Sequence, residues 1–542
     1  MYRLRTSLLA AGLALFGGAT LAACDALDLD VENPNEPTPG VLFTEAGVQR
    51  LAAGFYEAFD LEDPSNFAWI GLAYHELMGD ALVTPWGNWQ YRWIAQPSRI
   101  TLDDGEVVTP PEGGTQPQEI QRINNRQLDT DGAIPQEWNS MYYLNNSANV
   151  LLAVLDGEVL GTQGDVDLGA NAEAKERGYR AWAHFWKGYA YARIGSMYTA
   201  GLILDEAGQT TGDFVSRAEV IAESNRQFDR AVELSGGFDA VAAVVVPSLI
   251  ADDPLVGQPT GASLAAAANT MKARNLLVNT RKSEAGADDW QQILDLTSRG
   301  LQSNEGAFIL KTDDNTYPNG LFARFVARQA FGPRGWHRVS ERLIGDVQEG
   351  DARLARFQST GTSWSTRGRG IQYNSRWTVA DVYATLTATE PYVRQFLISW
   401  EENALMRAEA LLETGNAAAA ADLIDEVREA QGATETVVDE GGAVVYDGLD
   451  EIDDDSAENV ALQLFSERRI GLFLRGLAFY DARRYGITTE QPGRADVTVI
   501  ENDGTVNNDA SIYYNYVSYW PVPDVELTFN PNTGGGNPQN PE

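Results

Sequence analysis

The sequence predicts a mainly α-helical fold, a tetratricopeptide-like superhelix of helical hairpins with long irregular loop insertions and minor β structure. The strongest evidence is the segment 401–432, which divides into two amphipathic halves at Gly415 and Asn416. In both halves the apolar and small residues recur at steps of three and four, as one face of an α-helix requires. The spacing follows the small and large positions of a tetratricopeptide helix pair, at Ala404, Ala408, Leu411, Ala420, Ile424 and Val427.

The turn between these two predicted helices is the second observation. Gly415 can adopt the left-handed conformation that ends a helix, and the alanines at 417–421 allow a second helix to approach closely. One hairpin cannot bury its own apolar face, so other helices must pack against it. Helical periodicity predicts such helices at residues 43–60, 67–80, 135–155, 174–197, 216–234, 262–281, 287–301 and 458–485, with Thr44 as the cap of the first.

Two long segments without a sustained period are the third observation. We expect loops or small sheets near 81–130 and 303–389, inserted into a single domain that spans 41–542. Residues 101–130 are rich in Pro, Gly, Asp and Gln, which predicts an excursion on the surface. Residues 519–523, within a polar C-terminal tail, are expected to dock against another part of the protein.

The N-terminus has the pattern of an export signal. Arg3 and Arg5 precede an apolar run that is too short for a permanent membrane span, and small residues lead to Cys24, the only cysteine. This resembles the bacterial lipobox, which implies a signal peptide at 1–23, lipidation of Cys24 and a lipidated tether at 24–40. An ordinary leader with an incidental cysteine is the alternative.

The overall charge limits the partners. The chain has 77 acidic and 40 basic residues among 542, a formal charge of −37. Such a chain repels nucleic acid, so no nucleic-acid partner is expected. The plainest interpretation of the charge is an acidic, solvated surface that resists aggregation.

No catalytic or metal-binding motif is evident. The three histidines, His75, His184 and His337, are scattered, and we expect His184 in the core and His75 in a helix cap or local ion pair. The acidic run 447–455 lacks the ligand spacing of an EF-hand. We therefore expect no enzyme activity, no cofactor and no bound metal. A secreted hydrolase remains an alternative, because two catalytic carboxylates could be present among so many acids.

Aromatic residues in the two irregular segments are the better functional signal. A Trp ring can cover the C–H face of a sugar while nearby polar side chains bond its hydroxyls. The alternative is that these rings pack the loops onto the helices, as we expect of Trp182 and Trp186 at helical spacing. The predicted ligand-binding residues are Trp86, Asn88, Trp89, Tyr91 and Trp93 in the first segment and Trp336, Trp364, Arg369, Tyr373 and Trp377 in the second, where Arg334, Arg367, Asn374 and Arg376 accompany them.

One further run resembles a known family. The run 467–486, which follows the hairpin at 401–432, and the closing segment 519–532 are similar to the SusD/RagB family of outer-membrane lipoproteins of nutrient uptake. Three positions, Gly471, Arg475 and Ala478, depart from the usual Glu, Glu and Arg, which implies a rearranged charge network. The matching positions are Glu467, Arg468, Gly476, Asp481, Arg484 and Gly486.

This resemblance implies a fold, a partner and a location. The fold would be a superhelix of four tetratricopeptide-like units. The partner would be a SusC-like TonB-dependent barrel transporter, over which the protein acts as a hinged lid. The protein would be lipid-anchored in the outer membrane, exposed at the cell surface, and would deliver a nutrient, most often a glycan. Capture of peptides or other polymers, and a scaffold role without a small ligand, remain alternatives.

Overall fold

A computed structural model describes residues 39–59, 72–84, 90–111, 114–126, 132–312, 337–359, 370–371, 373–379, 393–489 and 492–530. Within these ranges helices dominate and the strands are short, which confirms the predicted mainly α fold. None of the helices in this part of the chain is both long enough and apolar enough to cross a membrane.

The helices carry most of the fold. The shorter 3₁₀ turns are Pro39–Phe43, Gly54–Phe59, Ser235–Ala240 and Ala352–Arg356. The α-helices are α1 (Glu45–Ala53), α2 (Leu72–Met78), α3 (Tyr91–Ile94), α4 (Gln116–Arg126), α5 (Ala133–Leu155), α6 (Ala172–Met197), α7 (Arg217–Leu234), α8 (Ala242–Val245), α9 (Ser248–Ala251), α10 (Gly261–Asn279), α11 (Ala287–Ser298), α12 (Glu341–Asp346), α13 (Trp400–Glu413), α14 (Ala417–Ala430), α15 (Ala457–Gly471), α16 (Ala478–Arg484) and α17 (Asp524–Phe529).

Successive long helices pack in pairs, as a hairpin superhelix requires. Helix α6 packs against α5 and α7, α10 against α11, and α13 against α14. Helix α13 also contacts α11 and α15, so that each pair covers the apolar face of the next. Thr44 caps α1 by accepting a hydrogen bond from the Gly47 amide at 3.2 Å, as predicted.

The aromatic helix α6 forms the centre of the core. Trp182 and Trp186 are fully buried, and their rings meet edge to face with centroids 5.3 Å apart. The Trp182 indole N–H donates to the carbonyl of Ala52 at 2.9 Å, which satisfies its one polar atom. Phe185 and Phe308 stack beside them. The predicted core role of both tryptophans is confirmed.

The strands form two larger sheets and several two-stranded ladders. The strands are β1 (Leu82–Val83), β2 (Arg99–Thr101), β3 (Val107–Val108), β4 (Glu158–Val159), β5 (Thr162–Gln163), β6 (Ala200–Leu202), β7 (Phe214–Ser216), β8 (Phe308–Thr312), β9 (Arg338–Val339), β10 (Phe357–Ser359), β11 (Tyr373–Asn374), β12 (Trp377–Val379), β13 (Val393–Ile398), β14 (Val437–Val438), β15 (Val444–Tyr446), β16 (Arg494–Glu501) and β17 (Val506–Tyr513). One sheet has the order β1-β9-β12-β10 and the other β11-β16-β17-β2-β3.

Three parts differ from the sequence prediction. The predicted surface excursion at 101–130 contains α4, whose Ile120 and Ile123 are buried. The single helix predicted at 458–485 is broken between α15 and α16, where Leu474 and Gly476 both have positive φ angles, of 62° and 69°. The tail is a β-hairpin, β16–β17, before residues 519–523, and Trp520 of that segment is buried against Tyr74 and Tyr198.

Candidate functional site

The two irregular segments meet in one place, which we call the junction; it comprises the described parts of 82–96 and 337–379. Strand β1 of the first segment pairs with β9 of the second, with Leu82 opposite Val339 and Val83 opposite Arg338. Strand β12 then pairs with β9 through Trp377 and Val339. Residues far apart in the sequence, each beside an aromatic-rich stretch, thus share one sheet.

Arg92 and Gln96 fasten the two segments together. The Arg92 guanidinium donates to the carbonyl of Thr84 at 2.8 Å and to that of Ile371. The Gln96 side-chain oxygen accepts the Ile371 amide at 2.9 Å. Both side chains are buried, and burial lowers the pKa of Arg92. Gly370 has a left-handed φ of 69°, and a Cβ there would lie only 1.7 Å from the Gln96 oxygen, so glycine is strongly favoured at this position.

Tyr91 lies in the buried interior of the junction. Its exposed fraction is 0%, and its ring packs against Tyr74 and edge-on against His337, with centroids 5.0 and 4.6 Å away. The residue before it, Gln90, has a left-handed φ of 64° and starts the short helix α3. Burial raises the pKa of Tyr91 well above its ordinary value and lowers that of His337 to about 3. Tyr91 therefore supports the junction from below and offers no ring face to a ligand.

Tyr373 is buried in the same way. Only 8% of it is exposed, and the Arg342 guanidinium lies 5.4 Å from its ring centre. In β11 it pairs with Glu501 of the C-terminal hairpin. The neighbouring Asn374 is also buried. The predicted ligand residue Tyr373 and the accompanying Asn374 thus belong to the support of the junction, because ladder pairing and burial hold the side chains inside.

Trp93 and Trp377 remain partly exposed. The Arg122 guanidinium lies 5.0 Å from the Trp93 ring centre, and Trp377 packs on the small apolar cluster of Val339 and Val379. The predicted residues that lie outside the described residues are Trp86, Asn88, Trp89, Trp336, Trp364 and Arg369, together with Arg334, Arg367 and the anchor Cys24.

Sequence reasoning missed Arg92, Gln96 and Arg122. The available signal was weak, because Arg92 lies between the aromatic residues Tyr91 and Trp93 and has no distinguishing pattern of its own. Arg376, which the sequence placed with the second cluster, is 39% exposed and donates to Glu341 at 2.9 Å. It immediately precedes β12, within the junction.

The histidines occupy structural positions. His75 is buried between Glu137, at 3.1 Å, and Arg193, at 2.9 Å, and burial together with Arg193 lowers its pKa to about 4. The predicted local ion pair is therefore wrong: His75 is neutral near pH 7 and is hydrogen-bonded to Glu137 of α5, whose ion-pair partner is Arg193. His184 is bonded to Gln227 at 2.6 Å. Among the described residues no cluster of His, Cys, Asp and Glu could hold a metal ion.

The run 467–486 is a network of buried ion pairs. Glu467 accepts two hydrogen bonds from Arg353, at 2.6 and 2.8 Å. Arg468 donates to both carboxylate oxygens of Asp481. Arg484, near the end of the run, donates to Glu409 of α13 at 2.9 Å. At the departing position Arg475, the side chain pairs with Glu401 at 2.8 Å. The arginine at this departing position is thus paired with an acidic residue of α13.

Comparison with known proteins agrees with this architecture. Residues 402–542 match the sequence profile of the SusD family. Solved structures of that superfamily share the fold over nearly the whole chain, so the profile match and the fold point to the same family. Residues 402–542 thus carry the sequence of the SusD family, and the described chain has the fold of solved SusD-type structures. No curated protein sequence matches it.

Three solved SusD-type structures show the extent of the likeness. A SusD-like protein from Bacteroides fragilis has 14% identity, a TM-score of 0.54, and coverage of 92% of this chain and 99% of its own. A SusD-like carbohydrate binding protein from Bacteroides vulgatus has 14% identity, a TM-score of 0.52 and coverage of 92% and 98%. Surface glycan-binding protein A from Bacteroides thetaiotaomicron, in complex with laminarihexaose, has 13% identity, a TM-score of 0.55 and coverage of 91% and 99%. At these identities the likeness shows that the protein shares the SusD-type fold.

A first prediction concerns Glu76, which lies against the break between α15 and α16. Its carboxylate accepts the Gly476 amide at 2.9 Å, and burial raises its pKa from 4.5 to about 7. The folded protein therefore binds a proton that the unfolded chain has released between these two pH values, so ionisation of Glu76 lowers stability as the pH rises through that window. Above pH 7 the loss amounts to about 3 kcal/mol.

Glu76→Gln should remove this loss. The free energy of unfolding of the variant minus that of the wild type should grow between pH 4.5 and pH 7, as measured by urea denaturation at several pH values. The difference isolates Glu76, because the lowered pKa of His75 changes the stability of both proteins in the opposite direction. A difference that stays constant across this window would contradict the prediction.

Proposed function

We propose that this protein captures a glycan at the cell surface and that the junction carries the binding face. The observation that carries the proposal is the pairing of β1 with β9, which joins the described parts of both irregular segments, together with the hydrogen bonds of Arg92 and Gln96 across them. Aromatic faces on a rigid support lose little conformational entropy on binding. The solved relative that holds laminarihexaose supports a glycan as the ligand class.

The ligand face is proposed to consist of Trp93 and Trp377 together with the predicted residues outside the described ranges. Trp86, Trp89, Trp336 and Trp364 would cover sugar C–H faces, and Asn88 and Arg369 would bond hydroxyl groups. Tyr91 and Tyr373 are assigned to the support, since both are buried.

The second prediction tests this face. Trp86→Ala, and separately Trp93→Ala, should weaken binding of a glucan oligosaccharide by about 1–3 kcal/mol, the range for losing an aromatic hot spot, with an unchanged melting temperature. Isothermal titration and a melting curve on the same sample measure both. Tyr143→Ala is the control, because Tyr143 is exposed on α5, away from the junction.

The outcome separates the alternatives. Full saccharide affinity in Trp86→Ala, Trp89→Ala, Trp93→Ala and the triple variant would contradict the proposal that this face binds the saccharide. Titration of an unrelated peptide mixture beside the oligosaccharide tests the peptide-capture alternative. A variant that loses about 3–5 kcal/mol of stability would instead identify its tryptophan as a core residue.

We further propose that the protein is held to the outer membrane by lipidated Cys24 and delivers its ligand to a SusC-like TonB-dependent barrel, as a binding protein rather than an enzyme. The third prediction follows from this anchor. Cys24→Ala should release the protein or trap it as a precursor, because acyl chains provide the attachment. Membrane fractionation with immunoblotting measures it, and a variant that still fractionates with the membrane would contradict the anchor.

A further inference from the structure

A groove lies between α7 and α10, and its lining residues belong to other segments than the junction. A cavity of about 270 Å³ runs between these helices and α11, and a second of about 140 Å³ adjoins it where α16 and the C-terminal tail approach. Arg217, Asn279 and Thr280 line both, so the two form one continuous groove. Its size suits a ligand of one or two sugar-sized rings and is too small to enclose a whole polymer.

The smaller cavity concentrates positive charge. Arg217, Arg281 and Arg483 line it, and the guanidinium groups of Arg217 and Arg483 lie 4.0 and 4.3 Å from the ring centre of Tyr519. Arg483 is buried and donates to three backbone carbonyls, of Ser196, Val278 and Ser518. Burial, then repulsion from Arg217 and Arg281, lowers its pKa despite the nearby tyrosines.

This cluster lacks acidic partners. In the part of the chain that the structure describes, none of these three arginines forms an ion pair, whereas Arg484 beside them is paired with Glu409. The acid that lines the same cavity, Glu284, is exposed at its rim. A chain with 77 acidic and 40 basic residues has carboxylates in excess, so three unpaired guanidinium groups at one cavity favour an oxyanion from outside.

The larger cavity adds an unused acceptor. Asn275 is 1% exposed and lines it; its amide N–H₂ donates to Ser224 and Asn225, both at 2.9 Å, but its side-chain oxygen has no hydrogen-bond partner. An orphaned buried acceptor normally has a partner that completes it. Asn225 and Gln292 add further amides, and Leu276 with Leu296 adds apolar surface, which is the lining that a sugar ring requires.

We propose that this groove binds a uronic acid unit, with the carboxylate between Arg217 and Arg281 and a ring hydroxyl donating to the Asn275 side-chain oxygen. The amides recognise the remaining hydroxyl groups, and Leu276 and Leu296 contact the C–H face. The groove is built from other helices than the junction, so this site does not depend on the proposed glycan face.

The test compares an acidic and a neutral sugar of the same size on the full chain. Isothermal titration with digalacturonate and with galactobiose should show preferential binding of digalacturonate that weakens as the salt concentration rises. Arg217→Gln and Arg281→Gln should each weaken digalacturonate binding about tenfold, as expected for loss of a charge-assisted hydrogen bond. Arg230→Gln removes the same charge from an exposed position on α7 and should leave the affinity unchanged.

Two results would overturn the proposal. One is equal affinity for the acidic and the neutral disaccharide, or no binding of either. The other is wild-type digalacturonate affinity in the Arg217→Gln/Arg281→Gln double variant with an unchanged melting temperature. Trp86→Ala should keep full digalacturonate affinity, and loss of that affinity would place the ligand at the aromatic face instead. Failure of the neutral glucan to bind would affect the junction alone.

Discussion

Replacing Asp80 with asparagine is expected to lower the free energy of unfolding by about 3–5 kcal/mol, the range for breaking a buried ion pair from one side. Asp80 bonds the Arg342 guanidinium twice, at 2.7 and 3.0 Å, and accepts from Ser340 at 3.2 Å. Arg342 is 0% exposed, so the variant would leave its charge buried beside a neutral amide. Burial alone would raise the pKa of Asp80, but Arg342 and Arg469 hold it below its ordinary value.

Asparagine is the appropriate substitution because Asp80 has a φ of 55°, a left-handed conformation that Asn tolerates. Urea denaturation measures the effect. The double variant Asp80→Asn/Arg342→Met should recover part of the lost stability, since it also removes the stranded charge. If Asp80→Asn melts like the wild type, Arg342 does not depend on this partner. Because Arg342 also lies over Tyr373, the single variant should loosen the junction as well.

The long helices could be predicted because their information is local. The stripe on α14 and the turn glycine Gly415, with its φ of 87°, needed only neighbouring residues to recognise. The break after α15 could not be found in this way, because Leu474 adopts a positive φ that its own sequence context does not require. Tertiary contacts, such as the Glu76 bond to the Gly476 amide, hold that break in place.

The hairpin β16–β17 was predictable but missed. Asp503 and Gly504 form its turn, and Glu501 and Thr505 close it with a 2.8 Å hydrogen bond. An Asp-Gly pair between alternating apolar residues is a strong hairpin signal. By contrast, the pairing of Leu82 with Val339 joins strands of only two residues each, and strands this short have no local sequence pattern that would predict the pairing.

The candidate site was predicted by residue type and only partly by position. Aromatic density identified both segments, but it could not separate Trp93, partly exposed, from Tyr91, which is buried two residues earlier. That distinction depends on which side of α3 faces Tyr74 and His337, and both contacts are long-range. The charged groove between α7 and α10 was not predicted, because Arg217, Arg281 and Arg483 come from three separate segments.

Replacing Ala420 with glutamate should destabilise the protein by about 4 kcal/mol or more, because overpacking and the burial of an ionised group both contribute. Ala420 is 0% exposed on α14, the helix that packs against both α13 and α15. A glutamate side chain there must either displace one of these helices or leave its carboxylate without water. Thermal and urea denaturation measure the loss.

Ala418→Glu is the matched control. Ala418 lies on the same helix but is exposed, so the same change of charge and helix propensity should alter stability by less than about 0.5 kcal/mol. A contrast between the two variants therefore reports the packing of the hairpin alone. Equal, wild-type melting of both would show that the small-residue stripe does not face a neighbouring helix in solution, and the superhelical packing of α13, α14 and α15 would then be wrong.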